Sequence, residues 1–357
     1  MKVIVHDFFQ TMGGAEKLVC TIARHFPEIK IITSKISSEF AREIPDLLDR
    51  VIVIESKFSF LGRIPNAILA FTSNKQLIKN SKTVIYSGVY SLIYSRNQKK
   101  GKRIFFCHTT PKFIFHGDDK FYRKYQILEK TILYFPIKIF KYFYVIAVNS
   151  MDYILTNSFH MKSKIKKQLN LNSEVIYAPI DTHNFKWINQ KKYFFALGRL
   201  EKYKRVDKLI LAFNEMEDKK LVIGSTGSDY KYLKNLAKKN NNICFTGWLT
   251  LDLLYKYIGE ALACIYVPAD EDFGMAAVES LAAGKPVIGV NEGGIKEIIE
   301  HKKNGILLNK NFSIREVINA VNEMTPQLAR KLKKKCEKSS VQFSELTFIS
   351  KIKHYVK

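Results

Sequence analysis

Acidic residues are few in this sequence: 33 Asp and Glu face 58 Lys and Arg, for a net charge of +25, so an acidic molecule is an expected partner. Cysteines are few as well. The five, at 20, 107, 244, 264 and 336, are odd in number, scattered and without a C-x-x-C pair, so neither a disulfide framework nor a zinc site is indicated and a reducing cytoplasm fits. Long apolar runs are missing: Thr83 to Ser95 carries no charge but is too short to span a bilayer, and Tyr142 to Met151 is shorter still. At the N-terminus Asp7 interrupts the apolar run after a few residues, so the start reads as a buried first strand and not as a signal peptide. There is no low-complexity tract and no repeat of short period. No DNA- or RNA-reading motif accompanies the positive charge, which by itself specifies no sequence, so no specific nucleic acid is expected.

What is there is an ordinary globular composition, 46% hydrophobic and 25% charged, over 357 residues, enough for two domains that each bury a core. Lys2 to Val5 is a β-rich run, followed by a loop with Gly13-Gly14-Ala15-Glu16 and then Leu18, Val19, Ile22, Ala23 and Phe26 at helical spacing. Paired glycines ahead of a helix let its N–H groups approach a diphosphate, and they also serve as a plain turn. Further strands are predicted at Ile29 to Thr33, Val51 to Glu55, Thr83 to Tyr86 and Arg103 to Cys107, separated by helix-length segments, the alternation of a doubly wound parallel sheet. Ligands of such sheets sit beyond the carboxyl ends of the strands. His108 falls there, where a histidine is either a ligand contact or a structural hydrogen bonder.

The most informative stretch is Glu271-Asp-Phe273-Gly274-Met275-Ala-Ala-Val-Glu279-Ser-Leu-Ala-Ala-Gly284-Lys-Pro286-Val-Ile. An apolar run, Ala261 to Val267, leads through Pro268 into an acidic loop and then an Ala-rich helix, which Gly284-Lys-Pro286 stops before another apolar strand. Gly274 lies where loop becomes helix, so its backbone can approach a ligand at the free N–H groups of the first turn, an end that favours phosphate. Glu271 lies on the loop and Glu279 on the helix, within reach of one bound molecule. A capped helix with two surface carboxylates would have the same pattern. This stretch resembles the donor-binding motif of retaining glycosyltransferases of family 4. The resemblance implies an α/β fold of the GT-B type, two Rossmann-like doubly wound domains with the active site in a cleft between them.

Other stretches resemble the same family, in the same order. His6-Asp to Gly13-Gly14-Ala-Glu looks like its opening, and Cys107-His108-Thr109-Thr110-Pro111 resembles its His-Thr-Pro stretch, whose histidine lies close to the donor sugar. Tyr153 to Asn157-Ser158 resembles the strand and Asn-Ser that close its N-terminal sheet. Val175 to Phe185 matches its exit from that domain, which makes the polar stretch Trp187 to Lys192 the expected hinge. In Gly198-Arg199-Leu-Glu-Lys202-Tyr-Lys204-Arg205, Arg199 and Lys204 fall on the family's diphosphate-binding Arg and Lys, leaving Lys202 and Arg205 to face solvent. A bidentate arginine beside a lysine point charge suits negative charge on a departing phosphate. Asn291-Glu-Gly293-Gly294 resembles the family's Gly-Gly turn. The expected division is residues 1–186, an acceptor-side domain; 193–335, a nucleotide-sugar domain; and 336–357, a terminal helix crossing back to the first.

The resemblance implies a retaining transferase moving a hexose from a nucleoside diphosphate sugar to an acceptor hydroxyl. Glu271 would contact the sugar hydroxyls and Glu279 the ribose. Arg199 and Lys204 would neutralise the diphosphate, helped by backbone groups near Gly13, Gly14, Phe273, Gly274 and Met275, and His108 would orient the sugar. No covalent nucleophile is assigned. No cofactor beyond the donor and no required divalent metal is expected. The opening and the His-Thr-Thr-Pro stretch look most like GDP-mannose enzymes of surface polysaccharide synthesis, with a UDP-sugar donor as the alternative. A GT-B UDP-sugar 2-epimerase and a non-enzymatic polyanion-binding protein are the rivals from other classes.

Residues 120–170 hold ten Lys or Arg among Phe121, Tyr122, Tyr125, Tyr134, Phe135, Phe140, Tyr142, Phe143 and Tyr144. Such a mixture on amphipathic helices suits an anionic membrane surface, and also an ordinary solvated face. The expected partners are a nucleotide sugar and a glycan or polyprenol-linked acceptor, met in the cytoplasm or at the inner face of the membrane.

Overall fold

The computed structural model describes residues 1–56, 60, 62–115, 127–237 and 241–357, with the backbone alone for 127–133. It divides into two units, residues 1–177 with 348–357 and residues 178–347. In the first, seven parallel strands run in the order β3-β2-β1-β4-β5-β6-β7. They are β1 Lys2–His6, β2 Ile29–Thr33, β3 Val51–Val53, β4 Thr83–Tyr86, β5 Lys102–Cys107, β6 Tyr153–Thr156 and β7 Glu174–Val175. Register is set by apolar residues meeting apolar residues: Ile4 sits beside Ile31 of β2 and Ile85 of β4. Successive side chains point to opposite faces, so both faces are apolar. Ile4, Ile31, Ile85, Ile104 and Phe106 join a core with the helix Gly14–His25 and with Phe348, Ile352 and Val356 near the C-terminus. Val3, Val5, Ile32, Val84, Tyr86 and Phe105 form the core of the other face with Ala67, Phe71 and Tyr144.

The second unit has six parallel strands in the order β10-β9-β8-β11-β12-β13. These are β8 Tyr193–Leu197, β9 Lys220–Gly224, β10 Ile243–Gly247, β11 Ala263–Tyr266, β12 Val287–Val290 and β13 Gly305–Leu308. In each sheet the first strand in sequence is interior, and the chain builds outward on one side of it before returning to the other. The switch points therefore lie between β1 and β4 and between β8 and β11, where open α/β sheets bind ligands.

Three sequence expectations change. The first sheet does not close at Tyr153–Thr156: Glu174–Val175 adds a short strand, with Leu155 beside Glu174 and Thr156 beside Val175. Residues 336–357 are not one helix. One helix runs Pro326–Ser340 and another Glu345–Val356, because Phe343 accepts a hydrogen bond from the Ile180 N–H at 2.9 Å and pulls the backbone out of the helical path. The stretch expected as a hinge is tied to the second unit. Ile188 and Asn189 N–H donate to Gly259, Lys191 N–H to Glu260, and the Lys285 Nζ bonds the Asn189 carbonyl at 2.5 Å beneath the ring of Trp187, whose centre is 3.3 Å away. The side chain of Lys285 is fully buried there, and burial lowers its pKa to about 7.

Candidate functional site

The predicted site residues fall in two groups, one in each unit. In the second unit they gather at the carboxyl ends of β8 and β11. The loop after β8 is stitched to the loop after β11: Ala269 N–H donates to the Tyr203 carbonyl at 2.7 Å, and Arg205 spans both. Lys204 follows from this. Its Nζ donates to Glu271 Oε2 and to the Tyr266 hydroxyl, each at 2.7 Å, and lies over the Tyr203 and Tyr266 rings at 4.9 and 5.0 Å. Only 10% of the Lys204 side chain and 21% of the Glu271 side chain meet solvent, so water screens this pair little. Burial, with the Glu271 carboxylate nearby, holds the Tyr266 hydroxyl well above its usual pKa and keeps it protonated.

Arg199 is not part of that cluster. Its side chain is 68% exposed and, among the described residues, pairs only with Glu201, at 3.5 Å, so its guanidinium stays accessible to an anion. Arg205 corrects the sequence reading. It does not face solvent: it takes a left-handed backbone, donates to the carbonyls of Val267, Pro268 and Lys310 at 2.7–2.9 Å, and pairs with Glu292 at 3.1 Å. It therefore shapes the loop that carries Glu271. Lys202 is exposed as expected.

Gly274 caps the helix Met275–Ala282 with φ of 114°, a backbone that L side chains rarely adopt, and a Cβ there would run into Ile295. The Met275 and Ala276 N–H groups at the start of that helix have no intrahelical acceptor and carry its positive dipole end, while Ala277 N–H donates to the Gly274 carbonyl at 3.0 Å. Glu271 is held from the other side as well, since its carbonyl accepts from Gly294 N–H at 2.8 Å. Phe273 and Glu279 are buried, the former against Phe343. Asp270-Glu271-Asp272 on this loop is an Asp-x-Asp triplet. Among the described residues, however, no three His, Cys, Asp or Glu side chains are placed to hold a metal ion.

In the first unit His108 follows β5 and is half-buried. Its Nε2 lies 2.7 Å from the hydroxyl of Ser87, which follows β4, and Asn157 donates from its amide to the His108 carbonyl at 3.2 Å. Ser158 beside it caps the helix Phe159–Leu169, which gives the Asn-Ser pair a physical role. Burial lowers the pKa of His108 to about 3, aided by nearby His6, so the ring is neutral at physiological pH. Gly13 and Gly14 start the helix Gly14–His25 as expected, but a Cβ at Gly13 would come within 2.7 Å of Glu16 Oε2. A carboxylate thus already lies against the helix end read as a phosphate site.

Residues 180–340 match the family description "Glycosyl transferases group 1". An uncharacterized glycosyltransferase of Methanocaldococcus jannaschii is 31% identical over 48% of this chain and 49% of its own length, so the chain spans about half of that relative. The O-antigen chain mannosyltransferase of Salmonella typhimurium is 26% identical over 71% of this chain and 76% of its own. A crystal structure of Anabaena HepE in complex with UDP covers 99% of both chains with a TM-score of 0.78 at 18% identity, a likeness of fold. The chain thus has the GT-B fold and carries, over residues 180–340, a glycosyl transferases group 1 domain.

Proposed function

We propose that the protein is a retaining glycosyltransferase that moves a hexose from a nucleoside diphosphate sugar to an acceptor hydroxyl. The observation that carries this reading is the Lys204–Glu271 pair at the β8/β11 switch point, beside the helix start at Gly274 and inside the group 1 domain. Lys204 supplies a fixed positive charge in a poorly hydrated place, where it stabilises charge developing on the departing diphosphate more than water could. Arg199, far more exposed, reaches the same phosphates. Glu271, held by Lys204 and by Gly294, accepts hydrogen bonds from the sugar hydroxyls. The departing phosphate takes the acceptor proton on the same face of the sugar, so no side chain needs to act as a nucleophile. Because Lys204 and Arg199 provide the positive charge, turnover is expected to survive chelation with EDTA.

Mannose is the hexose we favour, supported by the sequence resemblance and by the mannosyltransferase among the relatives. The base is chosen between GDP and UDP by experiment. A thermal-shift screen against GDP, UDP, ADP and their sugar conjugates tests the donor, since a ligand at 100 times its Kd adds about 2.7 kcal/mol of stability. Stabilisation by GDP and GDP-mannose alone supports mannose; stabilisation by UDP compounds discards GDP-mannose and keeps the transferase; no stabilisation by any of them counts against the donor site.

A lipid-linked acceptor at an anionic membrane fits the helix Ile127–Asn149. Phe135, Ile139, Tyr142 and Ile146 are 43–68% exposed at spacings of four, three and four residues, one stripe of the helix, with Lys138 and Lys141 exposed beside it. Lys120, Phe121, Tyr122, Arg123, Lys124 and Tyr125 of the basic aromatic region lie outside the described residues. No described helix is long and apolar enough to cross a membrane. Sedimentation with phosphatidylglycerol vesicles at physiological salt is expected to bring the protein down, and the double variant Phe135→Ser, Tyr142→Ser to reduce this at least tenfold. Equal binding of the variant would discard the stripe.

A further inference from the structure

Four side chains at the carboxyl ends of β1, β4 and β5 form one connected set. His6, the last residue of β1, directs Nδ1 at the Ser87 carbonyl and places Nε2 3.5 Å from Glu16 Oε1. Ser87 is fully buried and offers its hydroxyl to His108 Nε2 at 2.7 Å. One serine thus touches both rings, through its carbonyl on one side and its hydroxyl on the other. His108 Nδ1 makes no hydrogen bond among the described residues, which leaves it as the ring nitrogen that can meet a ligand.

We infer that Glu16 and His6 position His108 through Ser87, fixing which hydrogen-bonding role His108 Nδ1 presents. The inference deepens the transferase reading, and rests on it only where turnover is measured. Its electrostatics are self-consistent. Burial alone would discharge His6, but the hydrogen bond and charge of Glu16, with Asp7 and the Ser87 carbonyl, outweigh it and raise its pKa. Glu16 is correspondingly held below the usual carboxylate range by His6, against its own burial. The groups that face His6 are therefore Glu16 from the helix, Asp7 from its own loop and His108 beyond β5. Asp7 does not compete for the ring, because its carboxylate accepts the N–H groups of Val89, Tyr90 and Ser91 at 2.6–3.0 Å and fixes the turn after Ser87.

A charged His6 has both ring nitrogens protonated, so Nδ1–H donates to the Ser87 carbonyl and holds that residue in place. The Ser87 hydroxyl is then left to His108, and two rings this close do not both carry a proton charge. His108 stays neutral, and because the fully buried Ser87 hydroxyl has no other partner among the described residues, it donates to Nε2 and leaves the ring proton on Nδ1. That nitrogen then presents a donor to a sugar hydroxyl, and not a mixture of donor and acceptor. Gly13 belongs to the device, because only a residue without Cβ leaves room for the Glu16 carboxylate beside the helix end.

The test is ¹⁵N NMR of imidazole-labelled protein between pH 5 and 8, for the unaltered chain, Glu16→Gln and Ser87→Ala, with His108→Asn used for assignment. We expect His108 in a single neutral tautomer and His6 doubly protonated at pH 6 in the unaltered chain. In Glu16→Gln, His6 should lose its charge at lower pH and the His108 signals should move; in Ser87→Ala, the two tautomers of His108 should average. Turnover in Glu16→Gln should fall about tenfold with KM for the donor unchanged, the size typical of losing a group that orients another. Backbone amide spectra confirm that each variant is folded, and Ser87→Ala, a small truncation, keeps the test open if Glu16→Gln is not. Signals of His108 that are the same in all three proteins, or a loss confined to KM, would overturn the inference. Failure of the nucleotide screen with the tautomer changes present would instead overturn the transferase reading alone.

Discussion

The two units build their polar clusters in the same place and to opposite ends. Each uses a switch point of a parallel sheet, β1 against β4 in one and β8 against β11 in the other, and each brings polar side chains to the carboxyl ends of the strands there. In the first unit the cluster is closed on itself: His6 with Glu16, Ser87 with His108, Asp7 with three backbone N–H groups, and a neutral ring at the end. In the second it is open, with Lys204 half-committed to Glu271 and Arg199 left accessible. The lesson is a division of labour. On the proposed function, a closed cluster that ends in a neutral ring fixes direction, which suits a sugar, and an open cationic cluster supplies charge, which suits a diphosphate.

That division can be broken by experiment. The largest effect is expected from Lys204→Ala, which should lower kcat by roughly 10²–10³-fold, the cost of removing one preorganised charge stabiliser. Arg199→Ala should cost less, on the order of tenfold, because water screens the exposed guanidinium. Steady-state kinetics with the donor found in the screen would decide it, and a greater loss for Arg199 would reverse the ranking. Next comes the pair of helix starts. Gly274→Ala forces a strained φ and a clash with Ile295, which should cost about 1–3 kcal/mol in a denaturant midpoint. Gly13→Ala should cost under about 1 kcal/mol, because only the movable end of Glu16 stands in the way and the backbone there is extended.

The acid response divides the two histidines of the first unit's cluster. His108 has a folded pKa of about 3 against 6.5 unfolded, so between those values the unfolded chain binds more protons and stability falls as the pH is lowered. His6, whose folded pKa is raised, has the opposite sign: its contribution is fully present below 6.5 and is lost as the pH rises through the folded value. From pH 7 to 5, His108→Asn should therefore lose about 1–2 kcal/mol less than the unaltered protein, part of the full linkage value because the ring is not wholly enclosed. Equal slopes of stability against pH for the two proteins would remove His108 as the acid-sensitive group.

Much of this organisation was legible in the sequence, and for physical reasons. Parallel strands buried on both faces leave short apolar runs bounded by glycine and polar loops, so the strands expected at Ile29–Thr33 and Thr83–Tyr86 match the structure to the residue. Gly274 announced itself because a left-handed helix cap leaves few other choices. What stayed hidden depends on partners distant in sequence. Arg205 looked like one more surface cation because its acceptors are carbonyls 62 to 105 residues away. Ser87 looked like any serine after a strand, although its two atoms join two histidines. The break at Phe343 comes from the backbone of Ile180, and the burial of Lys285 from Trp187 and Asn189, none of which has a local signal.

The measurement that bears most directly on the central claim is calorimetric titration of the stabilising nucleotide into the unaltered protein, Lys204→Ala and Glu271→Gln. Affinity that falls at least tenfold in Lys204→Ala, with Glu271→Gln weakening the nucleotide sugar more than the bare nucleotide, is the predicted result. Unchanged affinity in Lys204→Ala, with the protein folded, would contradict the placing of the diphosphate at the β8/β11 switch point.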